Sequence, residues 1–384
     1  MKTPVVKINT VKVTMVIVLV MALLSCAPRA TTSPAPVITP APAVTPTSNL
    51  PPPTSQDVAL QKLIEGTKKE GTVTLYSFNF MGDVGLAMSQ AFKARYGINV
   101  DIITGRGAEF TERLKTEARM GARTGDFTEG SPVNVINIKN AGLTAPSKDL
   151  PVLQEKDVWK VNPASMDPDG HLLVSYPSFM QPLSNTKLLK PEDEPKSWAE
   201  LLQPKWKGKV MVTDPVVSTN TYATFQPLIR GGAMTEDYIK KLGAQDLVYV
   251  NGSAQGVERL IRGEYPIFAG VQAINASDAA REGAPVKALD FTDGMAGLTI
   301  VHTIIKDAPH MNAAKLFANW YLSKEGQQTY SKAKGAPTIR KDVQANVPPS
   351  LDVYPVKPIF PTADDLILQG KMFADKVWVL FFKK

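Results

Sequence analysis

From residue 57 onward, segments with hydrophobic residues at the spacing of an α-helix alternate with segments that have the pattern of a β-strand. Leu60, Leu63 and Ile64 share one face of a predicted helix, and Gly71 follows where a left-handed helix cap is expected. The next stretch, TVTLYS (Thr72–Ser77), has the composition of a strand. The pattern therefore predicts a helix followed directly by a strand.

The alternation of helix and strand continues through the first third of the chain. Apolar residues at helical spacing between Val84 and Phe92 precede the strand-like YGINVDII, and Gly105–Gly107 then turns into another helix. VNVIN (Val133–Asn137) predicts a third strand. This order favours a mostly parallel sheet with helices on its faces.

The second half of the chain is richer in proline and turns before the pattern returns. One helix carries Val257 and Leu260 and ends at Gly263, and another runs from Ala313 to Tyr321. No internal repeat is present, and two α/β lobes with a return crossing near residue 296 are the simplest arrangement. The predicted strands are KVMVTD (Lys209–Asp214), LVYV (Leu247–Val250), YPIFAGV (Tyr265–Val271), VKALD and GLTIVHTII (Gly297–Ile305).

Residues 1–25 have the layout of a secretory signal peptide. Three lysines and no acidic residue accompany an apolar run, Val13–Leu24, that is short for a membrane span. The sequence LLSC then ends at Cys26, the only cysteine, and resembles the bacterial lipobox, although Leu24 is larger than the usual residue there. We expect Cys26 to carry a lipid anchor; an ordinary signal peptide with an incidental cysteine is the alternative.

A proline-rich linker follows the cysteine. Residues 27–55 contain nine prolines, no glycine and only Arg29 as a charge, so the segment has too little apolar bulk for a core. In an extended polyproline conformation it would reach on the order of 90 Å. It is therefore expected to hold a folded body of one large or two medium lobes away from a membrane.

Charge and composition exclude some classes of partner. Loss of three lysines with residues 1–25 lowers the formal net charge from +7 to +4. The basic-aromatic cluster PKWKGK (Pro204–Lys209) has no second basic face to match it, so no nucleic-acid surface is expected. With no second cysteine, no disulfide framework forms.

Catalytic signatures are scarce. His171, His302 and His310 have no metal-ligand spacing, and GRGAEF has Phe110 in place of the third glycine of a dinucleotide fingerprint. SNTK (Ser184–Lys187) matches S-x-x-K without its usual companion motifs. A secreted hydrolase without recognisable motifs remains an alternative function.

Five strand ends open onto a helix start through small polar residues. Helix N-termini leave backbone N–H groups free and carry partial positive charge, so several of them in one crevice would hold an anion. Each stretch alone is better explained as a plain N-cap, but five of them in one alternating chain favour a binding crevice, because ligands of open α/β sheets bind beyond the strand ends. The stretches are SFNFMGD (Ser77–Asp83), GRG (Gly105–Gly107), STNTY (Ser218–Tyr222), NGS (Asn251–Ser253) and VQAINAS (Val271–Ser277).

Several longer segments resemble the extracellular solute-binding proteins of ABC importers, in the subgroup that includes the ferric-iron-binding proteins. The segments occur in the family's order between residues 57 and 345. The resemblance implies a bilobal fold, a ligand in the cleft and delivery to a membrane permease. They are LIEGTKKEGTVTLYS, AFKARYGINVDIITGRGAEFTERL, PKSWAELLQPKWKGKVMVTDP, IRGEYPIFAGV and DAPHMNAAKLFANWYLSKEGQ.

The resemblance does not extend to the ferric site of that subgroup. Its adjacent tyrosines correspond by spacing to Ala273 and Ile274, and a further tyrosine corresponds to Ser184. Hard cations need anionic oxygen ligands, which these side chains do not supply. Tyr222 is the tyrosine left among the candidate loops after Tyr76. A ferric-iron receptor with atypical ligands is therefore kept as an alternative.

We predict an α/β protein with a bilobal type II periplasmic-binding-protein fold, in which two mixed-sheet lobes flank a cleft. The domains are a signal peptide at 1–25, a lipidated cysteine and linker at 26–55, lobe 1 at 56–146 plus 296–340, and lobe 2 at 147–295 plus 341–384. The body is expected to be a monomer outside the cytoplasm.

The predicted function is non-enzymatic capture of a small organic anion or metal chelate for an ABC permease, without a cofactor or bound metal of its own. Arg106 is the candidate counter-charge, or else a solvated loop residue, and Phe78 and Phe80 supply an apolar wall. The candidate binding residues are Ser77, Phe78, Asn79, Arg106, Gly107, Asn137, Thr219, Asn220, Tyr222 and Gln272.

Overall fold

The computed structural model describes residues 54–105 and 107–379. The predicted signal peptide, Cys26, nearly all of the linker and Arg106 lie outside the described residues. Within the described part, no helix is long and apolar enough to cross a membrane.

The strands of the described part form one mixed sheet. They are β1 (Thr72–Ser77), β2 (Asn99–Thr104), β3 (Phe127–Gly130), β4 (Thr144–Ala145), β5 (Leu173–Asn185), β6 (Val210–Thr213), β7 (Val248–Val250), β8 (Ile267–Gln272), β9 (Val286–Ala288), β10 (Met295–Ile305) and β11 (Pro358–Ile359).

Helices flank this sheet in both halves of the chain. They are α1 (Ser55–Glu70), α2 (Gly82–Tyr96), α3 (Gly107–Met120), α4 (Pro132–Asn140), α5 (Asn220–Arg230), α6 (Glu236–Gly243), α7 (Ser253–Ile261), α8 (Ser277–Arg281), α9 (Met311–Leu322), α10 (Lys324–Lys334) and α11 (Ala363–Ala374).

Most of the periodic patterns give the predicted elements. β1 spans the predicted Thr72–Ser77, and α1 ends at Gly71, whose φ of 76° is the left-handed cap expected there. The predicted strands of the second half appear as β6 to β10.

The predicted third strand, Val133–Asn137, is wrong. These residues belong to α4, which has Pro132 in its first turn, and the third strand is β3, immediately before it. Pro132 suits the start of a helix because it fixes φ and needs no N–H partner there. Val135 and Ile136 point into the core from one side, so tertiary burial outweighs the β-branched composition.

The sequence pattern also missed β5, a fully buried strand of thirteen residues. Its prolines, Pro177 and Pro182, are typical of turns and edges. The pairing between β5 and β8 shifts register between Gln181 and Leu183, so Pro182 lies at an irregularity where no ladder hydrogen bond is lost.

The sheet has two parallel halves joined by two long antiparallel strands. The strand order is β2-β1-β3-β10-β5-β8-β6-β7. β1, β2 and β3 are parallel, β6 is parallel to β7 and β8, and β10 and β5 run antiparallel to each other and to the halves they join. We call the half with β1 to β4 the first lobe and the half with β6 to β9 the second lobe.

The register of these strands locates a cleft. β3 ends at Gly130 opposite Val301 of β10, and β8 ends at Gln272 opposite Met180, which itself pairs with Ala296 of β10. The two strand ends point toward each other and are separated along β10 by about 16 Å, at ~3.3 Å per residue. The middle of β5 and β10 between them forms the floor of the cleft.

Separate hydrophobic clusters form the cores of the two lobes. Val73, Phe92 and Phe317 belong to the first, and Trp198, Phe225 and Leu242 belong to the second. The segment with Leu150, Val152 and Val161 packs in the first cluster, although the sequence assigns it to lobe 2. The exact division of the chain between the lobes stays a prediction.

Candidate functional site

The first-lobe side of the cleft contains an open cavity of about 620 Å³ at the carboxyl ends of β1 and β2. Gly107 and Asn134 approach each other so closely that the Asn134 side chain leaves no room for a Cβ at Gly107. We call this the outer cavity. Its lining residues are Phe78, Met81, Thr104, Gly105, Gly107, Glu109, Ser131 and Asn134.

A short loop after β1 is held by one hydroxyl group. Ser77 Oγ accepts hydrogen bonds from the backbone N–H groups of Asn79 (3.0 Å) and Phe80 (2.8 Å), and it donates to Glu129 Oε1 at 2.5 Å. Asn79 Oδ1 accepts from Tyr176 of the cleft floor at 3.3 Å. These contacts fix the loop Ser77–Phe80, of which Phe78 faces the outer cavity.

Glu129 is a buried carboxyl group directly behind this loop. Burial raises the pKa of Glu129 to about 7, against the hydrogen bonds from Ser77 and Tyr321, which favour its charged form. His302 lies opposite Glu129 in the β3–β10 pairing, and burial lowers the pKa of His302 to about 3. A neutral histidine gives Glu129 no counter-charge.

The second-lobe side of the cleft is formed by the starts of α5 and α7. Asn220 Nδ2 donates to Ser253 Oγ at 2.9 Å, which joins the two helix starts, and Thr219 is exposed beside them. Gln272 Oε1 accepts from Ser178 of the cleft floor at 3.5 Å.

A smaller, more enclosed cavity of about 40 Å³ lies at the end of β8, and we call it the inner cavity. Ala273 and Ile274 line it, together with Ser178 and Phe179 of β5. Its other wall comes from the chain after α10, where Tyr354 contacts the Phe179 ring edge-on with centroids 5.0 Å apart. Lys160 and Asp352 bring one positive and one negative charge to the lining.

Helix starts in the described part of the chain differ in whether an N-cap side chain accepts a first-turn N–H group. α1, α6, α10 and α11 each have a Thr or Ser at the N-cap whose side chain accepts a backbone N–H of the first turn. α2, α4, α5 and α7, which begin at the cleft, have no such side-chain cap. α9 begins away from the cleft and also lacks one, but its first-turn N–H groups at Asn312 and Ala313 donate to Glu70. Ser131 and Thr219 occupy N-cap positions of α4 and α5 without using their hydroxyls for capping.

The absence of side-chain caps keeps polar groups available at the cleft. First-turn N–H groups without a cap turn to water or a ligand, and the helix dipole favours a negative ligand there. This arrangement can bind an anion on both sides of the cleft without a catalytic group.

The structure brings together only part of the predicted set of binding residues. Phe78 and Gly107 line the outer cavity, while Ser77 and Asn79 are buried behind it. Arg106 lies outside the described residues. Thr219, Asn220 and Gln272 lie at strand or helix ends of the second lobe, as their positions in the sequence predict.

Asn137 and Tyr222 are not cleft residues. Asn137 is an exposed residue near the end of α4, because the strand it was expected to follow is a helix. Tyr222 is fully buried in the second core, where it stacks on Trp378. Phe80, expected as part of the apolar wall, is buried in the first core against Phe317 and Tyr321.

Several cleft residues carried no signal in the sequence. Ser131 and Asn134 follow β3, which the pattern placed too late in the chain. Lys160 and Tyr354 line the inner cavity but belong to irregular segments, which have no hydrophobic periodicity in the sequence. The Ser-Pro that opens α4 is the one signal that would have found its start.

None of the three positions that correspond to the tyrosine ligands of ferric sites carries a tyrosine. Ala273 and Ile274 line the inner cavity, and Ser184 is buried with its Oγ donating to Glu194 at 3.4 Å. Within residues 54–105 and 107–379, no group of three or more His, Cys, Asp or Glu side chains is placed to hold a metal ion.

Comparison with known proteins gives the same fold and class. A family model described as "Bacterial extracellular solute-binding protein" matches residues 87–361. The chain is 26% identical over 294 residues to a putative 2-aminoethylphosphonate-binding periplasmic protein of Salmonella typhimurium, covering 71% of this chain and 80% of that protein.

Solved structures agree on the fold. Iron-bound HitA from Pseudomonas aeruginosa matches with a TM-score of 0.63 at 20% identity, covering 79% of this chain and 98% of HitA. AfuA from Actinobacillus pleuropneumoniae, with fructose-6-phosphate bound, matches with a TM-score of 0.60 at 21% identity, covering 82% of this chain and 99% of AfuA. The predicted type II periplasmic-binding fold is thereby confirmed.

Proposed function

This chain belongs to the bacterial extracellular solute-binding proteins, and on that premise we propose that it captures a small organic anion in the cleft and delivers it to an ABC permease. The observation that carries the choice of an anion is the absence of side-chain caps at α2, α4, α5 and α7. First-turn N–H groups without an N-cap side-chain acceptor favour a negative ligand, although in α5 the Asn220 N–H already donates to Ser218 Oγ at 3.3 Å.

The chemistry of the cavities supports an anion with an apolar body. Phe78 and Met81 line the outer cavity, and Phe179, Ile274 and Tyr354 line the inner one. Lys160 is the described cation of the inner lining, and we propose that Arg106 adds a second on the first-lobe side. The apolar surfaces would bury the ligand body while N–H groups and cations hold its charge.

The relative from Salmonella typhimurium suggests the first probe. Its name gives 2-aminoethylphosphonate as the ligand, a compact zwitterion whose phosphonate end is the anionic group that uncapped helix starts favour. We therefore propose phosphonates and related small organic anions as the ligand class of this chain.

Thermal unfolding with matched ligands tests this proposal. 2-Aminoethylphosphonate, a phosphate monoester and a dicarboxylate are compared with ethanolamine, a cation without the anionic group, each at 1 mM. A ligand present at a hundred times its Kd stabilises the folded state by about 2.7 kcal/mol. Stabilisation by an anion and none by ethanolamine is expected; stabilisation by the cation alone would contradict an anion site.

A ferric-iron receptor with atypical ligands is the alternative. Protein mixed with ferric citrate is expected to show no visible tyrosinate charge-transfer band, because Tyr222 is in the core and Ser184, Ala273 and Ile274 provide no phenolate. A stable coloured complex would overturn this expectation. We also propose that the protein is a monomer without enzymatic activity, held at the membrane by Cys26.

A further inference from the structure

We propose that Glu129 is a proton-responsive positioning residue that controls how firmly the loop Ser77–Phe80 is held at the cleft. The proposal rests on the proposed function in one respect: Phe78 of this loop faces the cavity to which we assign the ligand. The behaviour of the loop itself is measured without any ligand.

The physical link is a continuous chain of hydrogen bonds. Glu129 Oε1 accepts from Ser77 Oγ at 2.5 Å, and the same Oγ accepts the N–H groups of Asn79 and Phe80. Glu129 Oε2 accepts from Tyr321 at 3.4 Å. A change at the carboxyl group therefore reaches two backbone amides of the loop through one atom.

The other titratable groups that face Glu129 stay neutral around pH 7. They are His302 of β10, Tyr176 of β5, Tyr321 of α9 and Tyr330 of α10. Burial lowers the pKa of His302 to about 3 and raises the pKa of each tyrosine above its usual range. Glu129 is thus the group that changes charge in this cluster.

The loop separates this carboxyl group from the outer cavity. Ser77, Asn79 and Glu129 are all buried, whereas Phe78 on the same loop lines the cavity. Asn79 lies beside Glu129, whose charged form its hydrogen bonds also favour. Movement of the loop is the shortest route by which water would reach Glu129.

Ionisation of Glu129 favours such movement. A buried charge without a counter-ion is costly, and a state in which water reaches the carboxylate reduces that cost. The burial that raises the pKa of Glu129 to about 7 therefore makes the closed loop more stable at low pH than at high pH. The loop is expected to be held below pH 6 and loosened above pH 8.

Hydrogen–deuterium exchange of the ligand-free protein tests the inference at pH 6 and pH 8, after correction for intrinsic exchange rates. In wild type, the opening constant for the peptide that contains Asn79 and Phe80 is expected to rise on the order of tenfold between these values. Glu129→Gln keeps the shape and removes the charge, so its loop is expected to stay equally protected at both pH values.

Glu117→Gln is the matched control. Glu117 is also largely buried; burial opposes its charged form, but hydrogen bonds from Thr124, Tyr76 and Arg113 outweigh this effect and hold the pKa of Glu117 at about 2. It does not titrate between pH 6 and 8, so this variant is expected to keep the wild-type change in the loop.

Two outcomes would overturn the inference: a wild-type loop whose exchange is independent of pH, or a Glu129→Gln loop that still changes. If Glu129→Gln does not fold, carbon-13 NMR of the wild-type glutamate carboxyl groups decides instead. One carboxyl titrating near pH 7 together with the Asn79 amide supports the proposal, and no carboxyl titrating above pH 6 contradicts it. Failure to find an anionic ligand would contradict the proposed function and leave both measurements unchanged.

Discussion

Trp378 stacks face to face on Tyr222, with ring centroids 4.8 Å apart and ring planes 6° from parallel. The backbone N–H of Trp378 also donates a hydrogen bond to the Tyr222 hydroxyl at 3.4 Å. Tyr222 lies in the first turns of α5, whose N-terminus opens at the cleft. The end of the described chain is therefore packed against the helix that forms the second-lobe side of the site.

The segment that carries Trp378 contacts both cores. Ile359 and Trp378 pack in the second core, whereas Phe360 and Leu366 pack in the first. α11 contacts both α4 of the first lobe and α5 of the second. We call residues 358–378 the C-terminal arm, and its packing gives the apolar C-terminal residues a structural role at Val377 and Trp378.

Replacement of Trp378 by Ala is expected to destabilise the protein by about 3–5 kcal/mol, the usual cost of removing a large buried aromatic side chain. Tyr222→Phe removes only a long hydrogen bond and is expected to cost below about 1 kcal/mol. Chemical denaturation measures both. Val356→Ala, at a side chain that is 80% exposed, is the control. Equal stability of Trp378→Ala and the control would mean that the arm does not hold the second lobe.

The ion pair between Arg230 and Asp365 joins α5 to the arm with an Nε–Oδ1 distance of 3.0 Å. Because the Arg230 side chain is mostly exposed, Arg230→Ala is expected to cost below about 1 kcal/mol. Asp365→Ala also removes the capping box with Thr362 and is expected to cost about 1–2 kcal/mol. Lys241→Ala, which breaks an exposed pair within α6, is the control. An Arg230→Ala effect larger than that of Asp365→Ala would contradict this order.

Global stability is expected to depend on pH through Glu129. Its pKa in the folded state is about 7, above the ordinary value of 4.5. Its contribution to stability is therefore complete below pH 4.5 and is lost as the pH rises through 7. Between pH 5 and pH 8 the loss relative to Glu129→Gln is about 2–3 kcal/mol. Urea unfolding of both proteins across this range measures the difference, and parallel pH curves for the two would exclude the assignment.

Lys160 is expected to contribute to anion affinity. Lys160 is an exposed residue, so a contact between its ammonium group and an anion is screened by water and is worth below about 1 kcal/mol, or roughly fivefold in affinity. Calorimetry with an anion that stabilises wild type is expected to show a loss of this size for Lys160→Ala. Lys156→Ala, an exposed lysine outside the cavity lining, is the control. Unchanged affinity of Lys160→Ala would assign the anion to the outer cavity.

Replacement of Cys26 by Ser tests the anchor. No other cysteine occurs in the chain, so folding of the body does not require this thiol. The variant is expected to leave the membrane fraction or to remain an uncut precursor, as immunoblots of separated fractions would show. A processed variant that still sediments with membranes would contradict lipidation.

The elements that the sequence predicted correctly are those whose burial has a simple period. β1, α1, β8 and β10 carry apolar residues at the spacing of a strand or a helix, and each forms close to its predicted position. The polar helix starts at the cleft also followed from the sequence, because small polar residues after strands can be read directly from it. Phe78 and Gly107 were found for this reason.

Elements governed by distant partners were not predictable in the same way. Whether residues 133–137 formed a strand or a helix depended on which side chains the core would bury. β5 accommodates Pro182 because its pairing with β8 shifts register at that residue. The sequence position of Tyr222 predicted a binding residue. In the structure its ring is covered by Trp378, which lies far along the chain.

The sequence by itself determined the alternation of strands and helices and the polar helix starts, because each depends on neighbours a few residues apart. Only the tertiary structure decided which of those helix starts lack caps, which cations reach a cavity and which carboxyl group is buried. Burial and pKa depend on side chains brought together from remote segments, as Glu129, Ser77 and Tyr321 show. The local periodicity of the sequence does not predict contacts between residues that are far apart along the chain.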